Sequence, residues 1–242
     1  MNKVGHVASV SEFARSMFDI VLTFSGDGTI LRLLRSLDST VPCLCVNVGG
    51  RGILAEIKPD QVGGSIRQIL KGNFLVETRI RVSPSIGSTQ LPPALNEVVL
   101  VRKSFAKTPT FELQMKEGAL FTRRMDGVIL STPTGSTGHS FSYGSPFLEG
   151  TLRVFALTPL APIYRFPPMI VEPTAIQVRA DMALQLVIDG QETYPVEKGA
   201  RISFRKHSND AVFIRLTKAG SYRQLSNFLS LESSSEASSR KV

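Results

Sequence analysis

The chain of 242 residues has no tryptophan, two cysteines and three histidines. The cysteines, Cys43 and Cys45, stand two apart in an apolar run, so on a strand they share a face and do not readily bridge each other. That excludes a disulfide scaffold or a cysteine-based metal framework. No stretch approaches the roughly 18 consecutive apolar residues of a membrane-spanning helix. The start, MNKVGHVASV, lacks the apolar centre of a secretory signal. A soluble cytoplasmic protein is expected. There is also no block of like charge. Lys and Arg total 28 against 20 Asp and Glu, a formal net charge of +8, but the surplus is scattered along both halves. Without basic clusters interleaved with aromatics, this surface suits anionic small molecules better than a nucleic acid.

What is present suffices for one large domain or two small ones, since 42% of the residues are hydrophobic. The pattern changes near residue 90. Asp19 to Phe24 reads as a short strand running into Ser25-Gly26-Asp27-Gly28-Thr29, and Ile30 to Leu37 continues at helical spacing. Val41 to Val48 reads as a second buried strand, broken by Gly49-Gly50-Arg51-Gly52, and Pro59 to Leu70 as another helix. Strands alternating with helices predict a parallel α/β sheet. After Pro92-Pro93 the segments turn β-rich: Glu97–Val101, Thr110–Met115, Gly127–Ser131, Ala175–Val178, Ala183–Ile188 and Arg201–Phe204. The expected organisation is an α/β unit over 1–90, joined by a returning segment at about 218–232 that includes a short helix at Tyr222–Phe228. A β-rich unit over 91–217 and a polar, disordered tail over 233–242 complete it.

Two stretches carry chemistry. Gly26 and Gly28 let a phosphate approach the backbone, and the following helix offers free N–H groups and a favourable dipole. An aspartate there can act as a base or hold a metal; read alone, the same residues are a tight turn with Asp27 or Thr29 as helix N-cap. The loop is neither a Walker A loop nor a Rossmann fingerprint. The second stretch runs from Asp126 through Ser131-Thr132-Pro133-Thr134-Gly135-Ser136-Thr137-Gly138-His139-Ser140-Phe141-Ser142. Seven of the twelve residues 131–142 are Ser or Thr. A strand delivers hydroxyls and backbone N–H groups to one place, as a phosphate-bearing nucleotide requires, and a helix is expected from about Thr137. A Ser/Thr-rich loop without a ligand is the plainer alternative.

Taken in order, Ser25 to Thr29, Asn96-Glu97, Asp126 to His139, Leu157-Thr158-Pro159-Leu160-Ala161-Pro162 and Ile188-Asp189-Gly190-Gln191 resemble the NAD kinases over about residues 19–220. The resemblance implies an N-terminal Rossmann-like α/β domain and a C-terminal β-sandwich domain, with the C-terminal segment returning to the first. It also implies transfer of a phosphoryl group from ATP or polyphosphate to the 2′-hydroxyl of the adenosine ribose of NAD, with Mg²⁺ or another divalent metal, in a homodimer or homotetramer. Carried over by position, Asp27 would be the general base, with Gly28 and Arg32 on the phosphate side. Asn96 and Glu97 would bind NAD, and Asp126 would contact its nicotinamide end. Thr137, Gly138, His139, Ser140, Phe141 and Ser142 would enclose adenosine and carboxamide. Lys107, Arg124, Ala161 and Gln191 would line the pocket. No residue is assigned as a metal ligand. Two positions depart from the family pattern: Ser25 replaces its first glycine, and Gly138-His139 replaces Ala-Tyr. Lipid kinases of the diacylglycerol and sphingosine type share the aspartate loop but not the later motifs, and an inactive NAD-binding regulator is the other alternative.

Overall fold

Short apolar runs and glycine punctuation set the first unit. The computed structural model describes residues 19–37, 41–49, 52–104, 106–115, 118 and 120–217. Strand β1 (Val21–Ser25) passes through Gly26 into helix α1 (Asp27–Ser36), which buries Ile30, Leu31 and Leu34 on one face. Strand β2 (Cys43–Asn47) is buried through its first four residues, as expected for a central parallel strand covered on both faces. A 3₁₀ turn at Pro59–Gln61 leads into α2 (Val62–Leu70) and then β3 (Leu75–Arg79). The last described strand, β16 (Ala211–Arg215), returns to this sheet, whose order is β1-β2-β16-β3. β2 runs parallel to β1 and to β16. Leu44, Val46, Ile57 and Ile214 form a core within this unit.

The second unit is a sandwich of two six-stranded sheets. One has the order β11 (Met169–Val171), β10 (Phe155–Leu160), β9 (Gly127–Ser131), β6 (Glu97–Arg102), β13 (Leu184–Ile188), β14 (Glu192–Val196). The other runs β5 (Thr89–Gln90), β4 (Val82–Ile86), β15 (Ile202–Lys206), β12 (Ile176–Ala180), β7 (Thr110–Gln114), β8 (Leu120–Arg124). Alternate residues of both sheets, among them Val98, Leu100, Leu130 and Leu186 facing Phe111, Val178, Ile202 and Phe204, make one core. Each such side chain contributes about 1.5–3 kcal/mol on burial.

The α/β plus β-sandwich architecture matches the expectation, but its seams lie elsewhere. Among the described residues the units divide as 19–78 with 211–217, and 79–210. The change expected near residue 90 comes earlier because β4 and β5 already belong to the sandwich, Val82 to Lys206 and Ile86 to Ile202 being paired. The return expected at about 218–232 is made earlier by β16; residues 218–242, with the expected helix and tail, lie outside the described residues. Proline hid several strands from the sequence reading. Pro84 lies on the side of β4 that meets only the two-residue β5, and Pro159 lies past the β10–β11 pairing, which covers Phe155–Leu157. No described helix is long and apolar enough to cross a membrane.

Candidate active site

In the first unit the chemistry gathers around Asp27, the first residue of α1, where an acidic side chain meets the positive end of the helix. Its carboxylate faces back onto the segment after β2. Oδ2 accepts the N–H of Ile53 at 2.9 Å and Oδ1 that of Leu54 at 3.0 Å. The segment is shaped by Asn47, whose Oδ1 accepts the N–H of Gly49 at 2.9 Å. Gly52 lies at φ 59°, where glycine is favoured, and a Cβ there would fall 2.1 Å from Asn47 Nδ2, so a side chain would be strained and would displace the Asn47 amide. Ser25, where the family pattern has glycine, sits in β1 outside the left-handed region; its hydroxyl meets that of Thr23 at 3.0 Å. A glycine is therefore not needed for backbone reasons. Gly28 and Arg32 are exposed on α1, and Asp27 is half-buried.

In the second unit, Asn96 and Glu97 open β6 and are held by a residue that the sequence reading did not select. Asp189, in the β13–β14 turn, accepts the N–H groups of Leu95 at 3.2 Å, Asn96 at 2.8 Å and Glu97 at 3.2 Å. It lies at φ 48° and Gly190 follows at φ 65°, so the turn makes two successive left-handed residues. The D-G dipeptide was the available signal. Glu97 is buried; Oε2 has no hydrogen-bond partner among the described residues, and burial, then the charge of Asp189, pushes its carboxyl up to about 8. Asn96 Oδ1, Ser131 Oγ and Thr158 Oγ1 are likewise buried without a partner among the described residues. Glu97 and Ser131 are register partners across β6 and β9, so their side chains share a face.

The Ser/Thr-rich stretch folds differently from the expected helix near Thr137. It forms two 3₁₀ turns, Thr134–Thr137 and His139–Tyr143, interrupted at Gly138, whose ψ of −141° breaks the helical run. Three of its hydroxyls donate internally: Thr132 Oγ1 to Leu95 O, Ser136 Oγ to Pro133 O at 2.7 Å, and Ser140 Oγ to Gly135 O at 3.2 Å. Gly135 crosses so close to β6 that a Cβ would fall 2.3 Å from Asn96 O, and one on Gly138 would meet Glu97 Oε2 at 2.9 Å. Thr137 and Gly138 are half-buried, while His139, Phe141 and Ser142 are exposed. The His139 ring stands edge-on to Tyr143, centroids 5.4 Å apart. Tyr143 was not selected from the sequence.

The remaining predicted residues lie at the other end of the same strands. Asn96, Glu97, Gln191 and residues 137–142 flank the Glu97–Ser131 end of β6 and β9; Asp126 precedes the Val101–Gly127 end. Asp126 is paired with Arg102, Oδ2 to Nη2 at 2.9 Å, and Arg102 Nη1 reaches Lys107 O at 3.3 Å. Arg124 O accepts the N–H of Ile163, beside Ala161, which has φ 42°. The four residue steps along the strand between the ends span about 13 Å. One chain therefore does not bring Lys107, Arg124, Asp126 and Ala161 to the Asn96–Glu97 end. Among the described residues no group of three or more His, Cys, Asp or Glu is placed to hold a metal ion.

Comparison with known proteins gives this arrangement its context. Residues 5–74 match the model of the ATP-NAD kinase N-terminal domain, and residues 95–216 that of the ATP-NAD kinase C-terminal domain. The NAD kinase of Methanothermobacter thermautotrophicus is 36% identical over 207 residues, covering 83% of this chain and 72% of that protein. That of Pyrococcus furiosus is 32% identical, covering 83% and 74%. Among solved structures, an NAD kinase from Archaeoglobus fulgidus in complex with ATP superposes with a TM-score of 0.77 at 31% identity, over 88% of this chain and 84% of that one. Yeast NADH kinase complexed with NADH, at 21% identity, shares the fold with a TM-score of 0.84, over 92% and 69%. With both domains matched in order, and with relatives at this identity covered over more than two thirds of their length, the chain belongs to the NAD kinase family.

Proposed function

We propose that this NAD kinase family member transfers a phosphoryl group from ATP or polyphosphate to the 2′-hydroxyl of the adenosine ribose of NAD, giving NADP. The observation that carries the reading is Asp27, a half-buried carboxylate at a helix N-terminus, aimed by two backbone N–H groups. Both oxygens keep lone pairs beyond those N–H bonds, so the group can accept the hydroxyl proton as the new bond to phosphorus forms. The first unit is the donor unit, with Gly28 and the exposed Arg32 facing the phosphates; the second binds NAD through Asn96, Glu97, Thr137, Gly138, His139, Ser140, Phe141, Ser142 and Gln191. The unpartnered oxygens of Asn96 and Glu97 support that assignment, because buried polar atoms are ordinarily satisfied. Mg²⁺ or another divalent metal would come bound to the phosphates of the nucleotide donor. Lys107, Arg124, Asp126 and Ala161 then serve NAD bound to a second copy of the chain, as a homodimer or homotetramer allows; a chain sedimenting only as monomer in the presence of NAD would overturn this.

The test is incubation with NAD, a phosphoryl donor and Mg²⁺, with product detected by an NADP-specific dehydrogenase. NADP formation that falls by about 10²-fold or more in Asp27→Asn while NAD still binds supports the reading. Undiminished product in that variant overturns the role of Asp27, and no product with either donor overturns the enzymatic reading in favour of an NAD-binding protein.

A further inference from the structure

Arg215 ends β16 and is buried, yet its guanidinium donates on every side. Nε and Nη2 both donate to Glu77 Oε1, at 3.1 and 2.9 Å. Nη1 turns the other way, to Leu54 O at 3.3 Å and Glu56 Oε2 at 3.4 Å. Glu56 is itself tied to β2 and to the residue after β16: its Oε1 accepts the N–H of Leu216 at 2.9 Å, and its own N–H donates to Cys45 O at 2.8 Å. The consequence lies at Leu54. Its carbonyl is held by Arg215 and its N–H is one of the two that hold Asp27.

A buried guanidinium with two carboxylates is a weak device for stability, since well-packed apolar residues of similar volume often do as well or better. Its geometry here serves the segment rather than the sheet: the tight pair to Glu77 anchors the arginine, and the two longer contacts fall on residues 54 and 56. We propose that Arg215 is a positioning residue for phosphoryl transfer, fixing through Leu54 the N–H pair that aims the Asp27 carboxylate. The proposal rests on the reading of Asp27 as the base.

The experiment compares Arg215→Lys, Asp27→Asn and the double variant of the full chain by NADP formation. A lysine keeps the charge but cannot span Glu77 and Leu54 together. The expected result for Arg215→Lys is a kcat lower by about tenfold or more, as misplacement of a reacting group by an ångström produces, with the KM for NAD and for ATP changed less than about twofold. In the Asp27→Asn background it should cost nothing further, because the two act as one unit. An unchanged kcat, or an equal fold-loss in both backgrounds, overturns the proposal while leaving Asp27 in place. A fully active Asp27→Asn overturns the reading of Asp27 and this proposal with it. If Arg215→Lys does not fold, Glu77→Gln, which loosens the anchor while keeping an acceptor, should show the same kcat-only loss at about threefold; none would overturn the proposal.

Discussion

Asp27 and Asp189 are the same residue in the same dipeptide, each followed by glycine and each accepting backbone N–H groups, but they do opposite work. Asp27 is half-buried and takes two N–H bonds from one segment. Asp189 is 6% exposed, takes three from consecutive residues and raises the proton affinity of Glu97 beside it. Exposure and the number of donors distinguish them: on the proposed reading the Asp27 carboxylate keeps lone pairs for the substrate hydroxyl, whereas Asp189 is committed to holding a strand end. A held carboxylate is thus a structural part or a reactive one according to what remains open on it.

The comparison breaks most sharply at Asp27. Replacing it with Asn should lower kcat by about 10²-fold or more while costing only about 1 kcal/mol of stability, since the amide oxygen still accepts one of the two N–H bonds. Turnover and urea unfolding together check both halves of that statement. Asp189→Asn should reverse the balance. Asn tolerates the left-handed backbone, so strain is unchanged, but the loss of the anion facing three N–H groups should cost about 2–3 kcal/mol in urea unfolding.

A third expectation concerns pH. In the folded chain the Glu97 carboxyl, pushed up to about 8, keeps a proton that the unfolded chain releases around 4.5. The native state therefore binds more protons between those values, and stability falls as pH rises through that window, then levels above it. Thermal melts at pH 5 and pH 8 should show the decline, Glu97→Gln should flatten it, and Asp189→Asn should shrink it from the alkaline side. The smallest effect belongs to His139→Ala: a loss of stacking on adenine should raise the KM for NAD about two- to fivefold with less effect on that for ATP. An unchanged KM would return His139 to a purely structural pairing with Tyr143.

The sequence made the strand–turn–helix at Asp27 legible because each part has its own local signal: an apolar run, flanking glycines, helical spacing. The α/β to β-rich change was legible for the same reason. Its position was not, because Val82–Ile86 carries a proline, and prolines are read against strands unless the edge they face is known. The roles of Asp189, Arg102, Arg215 and Asn47 were hidden for a different reason. For Asp189 and Arg215 the partners stand far along the chain, as Asp189 is from Asn96 or Arg215 from Leu54, and no local pattern announces them; Asn47 and Arg102 act on close neighbours, but in irregular segments whose path the sequence does not give. The Ser/Thr stretch was legible as a cluster of hydroxyls, but its internal bonding was not: Thr132, Ser136 and Ser140 donate to backbone carbonyls of their own unit.

The motif from Asp126 to His139 is continuous in the sequence but is divided by β9, and its three middle residues explain its spacing. Val128 and Leu130 enter the sandwich core, while Ile129 joins Val99 and Leu160 on the opposite face. These positions work as a strut of fixed length between two ends that do different jobs. Inserting a single residue there would do more than lengthen it: every side chain beyond the insertion would change faces, taking Ser131 away from Glu97 and turning the Gly135 crossing off the backbone of Asn96. The strut tolerates a change of apolar residue but not a change of count.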